Sequence, residues 1–176
     1  MSEATVSPIL AMGALLVLGA SVAMALGAGA PAATSLRSLL LQQGRWLSFA
    51  VAGTAMAASL YYSDVVGFIP CEFCWYQRIA MYPLAVILLV AGITRDARVA
   101  KYAIPIAGIG LALSIYHYQL QVFPDQGGSC STGVPCSARY VEEFGFISIP
   151  FMAGCAFLSV LALQFGMIRA RRAEGL

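Results

Sequence analysis

The stretch PCEFCWYQRIAMYPLAVILLVAGIT, residues 70–94, places a pair of cysteines directly before a long apolar run. A membrane-spanning helix needs about 20 mostly apolar residues, and residues 75–94 supply them. Pro70 suits a helix start, because the N–H that proline lacks would have no partner there in any case. The stretch therefore predicts a transmembrane helix with Cys71 and Cys74 in its first turn. A dithiol of this spacing can open and close as a disulfide.

The composition places the whole chain in the membrane class. Of the 176 residues, 60% are hydrophobic and only 10% are charged, and the mean hydropathy is +0.82. A net charge of +2 without a basic patch excludes a nucleic-acid-binding protein. Apolar stretches long enough to span a bilayer lie at residues 8–30, 46–68, 75–94, 102–122 and 146–168. We therefore predict an all-α integral membrane protein with five transmembrane helices.

The basic residues predict the orientation, because cytoplasmic connections of membrane proteins are enriched in lysine and arginine. They lie between the first and second stretches, between the third and fourth, and in the tail: Arg37, Arg45, Arg95, Arg98, Lys101, Arg169, Arg171 and Arg172. The opposite connections, 63–72 and 122–144, are mostly acidic and carry both cysteine pairs, the second being Cys130 and Cys136. We therefore expect the N-terminus and both pairs outside and the C-terminus in the cytoplasm. Disulfides persist outside, since no cytosolic thiol pool reduces them there.

The first apolar stretch has two interpretations. The small residues AGAPAA at 28–33 resemble the cleavage region of a secretory signal. Against a signal, the stretch is long, and Glu3 is the only charged residue before it. Cleavage would also reverse the predicted side of every later segment. We therefore expect an uncleaved helix that packs against its neighbours through small residues.

Helix geometry adds Arg78 to the first dithiol. Unpaired N–H groups at a helix start favour negative charge, which lowers the pKa of a thiol there. In a continuous helix, Cys71, Cys74 and Arg78 fall at i, i+3 and i+7 and share one face. A charged side chain in a membrane span needs a partner. Arg78 therefore either reaches lipid headgroups or stabilises a thiolate or an anionic cofactor.

Two more residues carry groups of chemical interest. His117 is the only histidine and lies near the outward end of the fourth apolar stretch, at the depth of the dithiol. It is either a hydrogen-bonding member of the site or an ordinary interfacial group. Cys155 lies unpaired inside the last stretch, where we expect a small buried hydrophobe.

The second cysteine pair lies in the segment GGSCSTGVPC, residues 127–136. Its glycines, serines and proline are typical of a flexible loop, and flexibility would let this dithiol reach more than one partner. Residues 138–146 then alternate apolar and charged side chains. This pattern indicates either a short amphipathic helix on the membrane surface or a segment that simply leads into the last span.

In combination these motifs resemble the disulfide bond formation protein B (DsbB) family, in particular its short-loop branch. The resemblance runs from about residue 44 to residue 168 and rests on three motifs: PCxxCWYQR at 70–78, Tyr-His at 116–117, and YVEEFGFISIP at 140–150. It implies a four-helix catalytic bundle at 46–168 in a bacterial cytoplasmic membrane. Residues 1–45 then form an additional N-terminal helix with its cytoplasmic connection, and residues 169–176 a basic cytoplasmic tail.

The resemblance also implies an activity. Members reoxidise a soluble thioredoxin-fold protein of the DsbA type and pass the electrons to a quinone, ubiquinone or menaquinone, from the pool that the respiratory chain serves. The implied catalytic cysteines are Cys71, Cys74, Cys130 and Cys136. Of these, Cys130 matches the cysteine that the partner attacks, Cys136 the one that exchanges with Cys71, and Cys74 the one nearest the quinone. Arg78 and His117 match quinone-site residues.

Two other interpretations use the same residues. Four outward cysteines and His117 are soft ligands for zinc or a similar metal, which would make the chain a metal-binding membrane protein. The five residues between Cys130 and Cys136 are more than zinc sites usually have. The other interpretation is a structural protein with two static disulfides. The position of Cys71 and Cys74 at a helix start disfavours it, because such pairs are usually reactive.

Overall fold

The helices of the computed structural model follow the apolar stretches of the sequence. The structure describes residues 3–30, 33–126, 130 and 134–175. Five long helices form it: α1 (Glu3–Gly27), α2 (Thr34–Leu60), α3 (Glu72–Thr94), α4 (Ala100–Val122) and α5 (Ile149–Ala173). A π-helical turn, Tyr61–Val65, extends α2, and a 3-10 turn, Pro124–Gln126, follows α4. The described residues contain no β-strand, and the predicted all-α fold is confirmed.

Four of these helices are long and apolar enough to cross a membrane: α1 from Thr5 onward, and α3, α4 and α5 over their full length. The remaining helix, α2, has 27 residues and is about 40 Å long at 1.5 Å per residue. Its first half carries two arginines and two glutamines, Arg37, Gln42, Gln43 and Arg45. The structure thus has five helices where five spans are predicted, and the second is polar over its first half.

Helix α5 lies at the centre of the bundle. It packs against α1, α2 and α4, while α3 packs against α2 and α4. Small residues permit the closest approaches: Gly110 of α4 faces the ring of Phe157 on α5, and a Cβ at Gly110 would clash with that ring. The core inside the last four helices includes Ala52, Leu84, Leu88, Ala107, Phe157 and Val160.

The start of α3 separates the two cysteines of the first pair. Cys71 has an extended backbone, with ψ 174°, and caps the helix, because its Sγ accepts a hydrogen bond from the N–H of Cys74 at 3.4 Å. Cys71 therefore lies just outside the membrane-spanning segment Glu72–Thr94, and Cys74 lies inside it. At the other end, Arg95 adopts a left-handed conformation with φ 55° and ends the helix.

Of the two interpretations of 138–146, the amphipathic helix is wrong and the segment leads into α5. These residues form turns, and Glu143 and Ile147 pair in an isolated antiparallel bridge. Phe144 and Gly145 have φ of 52° and 77°, and residues with positive φ cannot continue a right-handed helix. The apolar periodicity of this segment instead reflects a turn in which Val141 and Ile147 are buried.

The two ends of the bundle differ in chemistry. The end where α3 and α5 begin carries both cysteine pairs. At the opposite end, Arg37 Nε pairs with Glu174 Oε1 at 3.6 Å, and Arg171 Nη1 donates to the carbonyl of Ala97 at 3.0 Å. Most basic residues therefore lie at the end opposite to the cysteines, as the charge pattern predicts, and Arg139 is the exception among the described residues of the outer connections. Which end faces the cytoplasm stays a prediction.

Helix α1 runs parallel to α5. At the cysteine end, the hydroxyl of Tyr62 donates to Ser7 Oγ at 3.0 Å. At the other end, Arg169 Nη1 on α5 donates to the carbonyl of Ala25 at 3.2 Å. Both ends of α1 are therefore tied to the other helices by side-chain hydrogen bonds.

Candidate functional site

The first cysteine pair is a close dithiol at the mouth of the bundle. Cys71 Sγ and Cys74 Sγ lie 2.9 Å apart, and neither cysteine forms a disulfide. Cys71 is buried, with 4% of its surface exposed, and Cys74 is half-buried. The two sulfurs are therefore close enough for this pair to join as a disulfide with a small shift.

His117 lies against Cys71. Its Nε2 is 3.5 Å from Cys71 Sγ, and its Nδ1 is 3.4 Å from Gln77 Oε1. The amide nitrogen of Gln77 donates to Ser114 Oγ at 2.9 Å, so the amide oxygen is the group that faces His117. Nδ1 must therefore carry a proton, which leaves Nε2 of a neutral ring to accept the proton of Cys71. His117 is placed as a base for Cys71.

The surroundings of Cys71 lower its pKa from 9.0 to about 4. The largest cause is the hydrogen bond from the Cys74 thiol. A hydrogen bond to His117 and the attraction of its charge act in the same direction, as does the N–H of Cys74, and burial opposes them. Cys71 is therefore a thiolate at neutral pH. The sequence predicts a thiolate at the start of this helix, and the structure assigns it to Cys71.

A thiolate titration tests this assignment. The ultraviolet absorbance of the Cys71 thiolate, measured as reduced protein minus reduced Cys71→Ala, is expected to persist from alkaline pH down to about pH 4. A lowered pKa keeps the thiolate present above that value and loses it only as the pH falls through it. His117→Ala should move the midpoint upward, since it removes a hydrogen bond and a positive neighbour that both lower the pKa of Cys71. Cys155→Ala is the control with an unchanged curve. A midpoint near the ordinary thiol value would contradict the assignment.

Arg78 has partners on α2. Its Nε donates to Ser59 Oγ and its Nη2 to the carbonyl of Ser59, both at 3.0 Å. Its guanidinium carbon lies 5.2 Å from the centroid of the Trp75 ring. Tyr82 also donates to Ser59 Oγ, at 3.3 Å. The cation is therefore held at a fixed position beside the bundle interior and is half-buried there.

A cavity of about 610 Å³ opens between α1, α2, α3 and α5. Cys74, Gln77 and Arg78 line one part of it together with Ser59 and Tyr82. Most of the other lining residues are apolar, and the exceptions carry hydroxyl groups, among them Ser21, Thr54 and Ser159. This volume and polarity are typical of a site for a small organic molecule with a few polar groups.

The prediction that Cys71, Cys74 and Arg78 share one face is correct for Cys74 and Arg78 only. Cys74 and Arg78 line the large cavity, but Cys71 does not. Cys71 lines a separate small pocket with His117 and Gln121, and Cys74 lines both this pocket and the large cavity. The reason is the extended backbone of Cys71, to which helical spacing does not apply. His117 also lies on the Cys71 side and not on the wall of the large cavity, so its predicted contact with a cofactor stays a prediction.

The second pair forms a disulfide, Cys130–Cys136. Cys136 is buried in one cluster with Cys71 and Leu120, whereas Cys130 is half-buried. The neighbouring segment is held to α4, because Arg139 Nη2 donates to the carbonyl of Gln121 at 2.7 Å. Residues 127–129 and 131–133, on which the flexible-loop prediction falls, lie outside the described residues. The structure thus brings Cys136 to Cys71 and leaves Cys130 the more accessible.

A metal site is the competing use of this cluster. The ligand atoms of Cys71, Cys74 and His117 all lie within 4.8 Å of one another. Two thiolates on one zinc ion are separated by about 3.8 Å, from a Zn–S bond of about 2.3 Å and tetrahedral angles. The sulfurs here are closer, at 2.9 Å, and Cys130 and Cys136 are committed to a disulfide. The arrangement fits a redox dithiol better than a zinc site.

Sequence reasoning missed Gln77, Ser114 and Ser59. Gln77 and Ser114 set the tautomer of His117, and Ser59 fixes Arg78. Gln77 lies inside the cysteine motif, so its position was a signal for the site. Ser59 and Ser114 are single serines in apolar helices, and only the packing of α2 and α4 against α3 shows their roles.

Comparisons with known proteins agree with one another. The sequence profile of the family described as disulfide bond formation protein DsbB matches residues 41–167. A probable disulfide formation protein of Oceanobacillus iheyensis is 52% identical over 118 residues, which are 65% of this chain and 81% of that protein. Disulfide bond formation protein C of Bacillus subtilis is 51% identical over 118 residues, 66% of this chain and 86% of that protein. A probable disulfide formation protein C of Halalkalibacterium halodurans is 42% identical over 134 residues, which are 74% of this chain and 95% of that protein. No solved structure matches the chain.

Proposed function

We propose, from the premise that this chain belongs to the DsbB family of disulfide bond formation proteins, that it reoxidises a soluble DsbA-like protein and passes the electrons to a membrane quinone. Membership makes the chain a multi-pass membrane protein with a role as a disulfide oxidoreductase. The soluble partner, the quinone, the site residues and the orientation of the membrane are parts of the proposal.

The observation that carries the proposal is the position of Cys74. Its sulfur is 2.9 Å from Cys71, which contacts the Cys136 cluster on the other side. Cys74 itself lines the large cavity beside Arg78. The first dithiol therefore connects a disulfide near the surface to a cavity in the membrane interior, which is the arrangement that an electron relay needs.

Thiol exchange can run through these sulfurs in a balanced sequence. A partner thiolate attacks Cys130, and Cys136 leaves as a thiolate. Cys136 attacks Cys71 of an oxidised Cys71–Cys74 pair, joins it, and releases Cys74 as a thiolate. The second partner thiolate displaces Cys130 and leaves the partner with a disulfide. Cys130 then attacks Cys136, which restores Cys130–Cys136 and frees Cys71, so that two electrons have moved to the Cys71–Cys74 dithiol.

At the end of this sequence Cys130–Cys136 is oxidised and Cys71 and Cys74 are reduced. Cys71 is then held as a thiolate by its hydrogen bonds. His117 Nε2 accepts the proton of Cys71, and Gln77 keeps the ring in the required tautomer. These residues prepare the sulfur that closes the disulfide again.

The cavity fits a quinone. The guanidinium of Arg78 is a donor for a carbonyl oxygen, and most of the surrounding wall is apolar. A bound quinone supplies the sink for the two electrons and two protons that the dithiol releases when it becomes a disulfide. Ser59 fixes the Arg78 side chain by two hydrogen bonds, so its charge needs little rearrangement to serve a ligand. The sulfur of Cys74 lines the same cavity and is the point of contact with the dithiol.

The separation of charges supports the proposed orientation in the membrane. Basic residues gather at the end opposite to the cysteines, and positive ends face the cytoplasm. The cysteine end, with the N-terminus, then faces the extracytoplasmic space, where a DsbA-like protein works as an oxidant. Cys130 is the accessible sulfur for it.

Quinone content tests the proposal directly. Protein purified from membranes is expected to carry bound quinone and no stoichiometric zinc, and Arg78→Met to lose most of the quinone. A hydrogen bond to a charged group is worth about 1.5–3 kcal/mol, so the apparent affinity for added quinone should fall about 10- to 100-fold. The measurements are extraction and quantification of quinone, the KM for quinone, and metal analysis of the same samples.

Two controls separate the role of Arg78 from a general loss of fold. Arg98→Met removes an exposed arginine between α3 and α4, at the far end of the bundle, and should leave quinone content unchanged. A single turnover of the Cys130–Cys136 disulfide with reduced DsbA-like partner should be unaffected in both variants. Equal losses of partner exchange and quinone use in Arg78→Met would reject the assigned role. Stoichiometric zinc without quinone in the wild type would reject the relay in favour of a metal-binding protein.

A further inference from the structure

One wall of the large cavity comes from outside the part of the chain that matches the family. The family profile covers residues 41–167, whereas α1 spans Glu3–Gly27. A single stripe of α1 lines the cavity: Ile9, Leu10, Gly13, Ala14, Val17, Ala20, Ser21 and Met24. These residues recur every three or four positions, which places them on one helix face. The stripe extends for about 22 Å at 1.5 Å per residue.

The packing of α1 explains why this space is open. Helix α1 packs closely along α5, and a Cβ at Gly166 would lie 3.3 Å from Ala25 Cα. It contacts α2 much less than α5. The cavity occupies the gap between α1 and α2, with residues such as Leu47 and Val51 on the α2 side. Without α1 this face of the cavity would have no protein wall.

The cavity is strongly polar at one part only. Its charged and amide groups, Arg78 and Gln77, lie there with Cys74 on α3, and elsewhere the lining adds only hydroxyl groups such as those of Ser21 and Ser159. The α1 stripe contributes no charged side chain. Apolar residues of the other helices, such as Leu47 and Leu163, line the cavity with Met24 of the stripe. The shape and polarity match an amphiphile with a compact polar head and a long apolar tail.

We propose that α1 forms the binding site for the isoprenoid tail of the quinone, whose head occupies the Cys74 and Arg78 end. This inference rests on the proposed function, because it assumes that the ligand of the cavity is a quinone. It assigns to the additional helix a role in affinity for long-tailed quinones, through burial of apolar surface. Continuity of the α1 stripe with the Cys74 end favours a quinone tail over a phospholipid chain.

Two glycines of α1 provide a matched test. A Cβ at Gly13 or at Gly19 meets no atom within 4 Å, but only Gly13 lines the cavity, and Gly19 is exposed on α1. Gly13→Phe is therefore expected to fill part of the tail site, and Gly19→Phe to add the same side chain on another face. Both variants remove a glycine from a helix interior, so their effects on helix propensity are equal.

The readouts are quinone that remains bound on purification and the rise in Tm on adding quinone to delipidated full-length protein. Gly13→Phe should weaken binding of a long-tailed quinone by about tenfold or more relative to Gly19→Phe. Binding of a quinone with a single isoprene unit should be the same in both variants. Partner exchange at Cys130–Cys136 in a single turnover should also be the same.

The outcomes distinguish this inference from the proposed function. If wild-type protein binds neither quinone, the proposed function fails and the inference with it. If wild-type protein binds long-tailed quinone and the two variants bind it equally well, α1 is not the tail site although the relay stands. If Gly13→Phe instead loses a bound phospholipid and retains quinone, the cavity along α1 is a lipid site and the inference is overturned.

Discussion

Cys130→Ala is expected to reduce steady-state oxidation of a reduced DsbA-like partner by about 1000-fold or more, the scale on which removal of a covalent catalytic group acts. The variant has no surface disulfide that a partner can attack. Cys136 would remain as a buried thiol next to Cys71. The rate is measured by trapping and counting partner thiols over time in the presence of quinone.

The same variant should retain the second half of the relay. Added dithiothreitol, a small reductant, reaches the Cys71–Cys74 pair without Cys130, so quinone reduction with dithiothreitol should continue near the wild-type rate. Cys155→Ala is the matched control, since Cys155 is a free cysteine buried within α5, and it should leave both rates unchanged. Full-rate oxidation of the partner by Cys130→Ala would show that electrons enter elsewhere, at Cys136 or directly at Cys71.

The sequence was sufficient for the helices and for the grouping of the cysteines. Apolar runs of spanning length predict helices because a bilayer leaves few other ways to satisfy backbone hydrogen bonds. Successive connections carry mostly basic residues and cysteines in alternation. The basic residues therefore gather at one end of the bundle and the cysteines at the other. Both features depend on local composition and on the order of segments, which a sequence contains in full.

The positions of individual side chains could be predicted less well from the sequence. Helical spacing put Cys71 on the same face as Arg78, but Cys71 is the cap residue and turns toward His117. The prediction of a helix at 138–146 failed because positive φ at Phe144 and Gly145 breaks the apolar periodicity into a turn. Such outcomes depend on which backbone groups need partners in the folded molecule. A pattern of residue types does not contain that information.

The large cavity is the feature that the sequence predicts least well. Its wall combines α1, α2, α3 and α5, and the α1 residues that line it are ordinary members of an apolar helix. Small and apolar residues on α1 predict packing against a neighbour, and α1 does pack on α5. The gap beside α2 depends on the distance between α1 and α2 in the folded molecule. That distance is fixed by tertiary contacts along α5.

Cys74→Ala is expected to stop turnover as completely as loss of Cys130, by about 1000-fold or more, but at the opposite end of the relay. The Cys130–Cys136 disulfide can still oxidise one partner molecule. No second turnover follows, because Cys71 then has no sulfur with which to form a disulfide at the cavity. One equivalent of oxidised partner per chain, followed by arrest, is the expected time course.

The arrested variant also reports the order of exchange. Before partner is added, the Cys71 thiolate of Cys74→Ala can attack Cys136, because both are buried in one cluster. That attack breaks Cys130–Cys136, forms Cys71–Cys136 and frees Cys130 as a thiol, without any added oxidant. Acid quenching, alkylation and non-reducing peptide mapping should detect this disulfide. In the matched variant Cys71→Ala, Cys74 remains, which lines the large cavity as well as the small pocket. Cys74 packs against the cluster of Cys71 and Cys136 from its edge and should form less disulfide with Cys136. Equal amounts of the two disulfides would contradict the assignment of Cys71 as the sulfur that faces the surface pair and Cys74 as the one that faces the quinone.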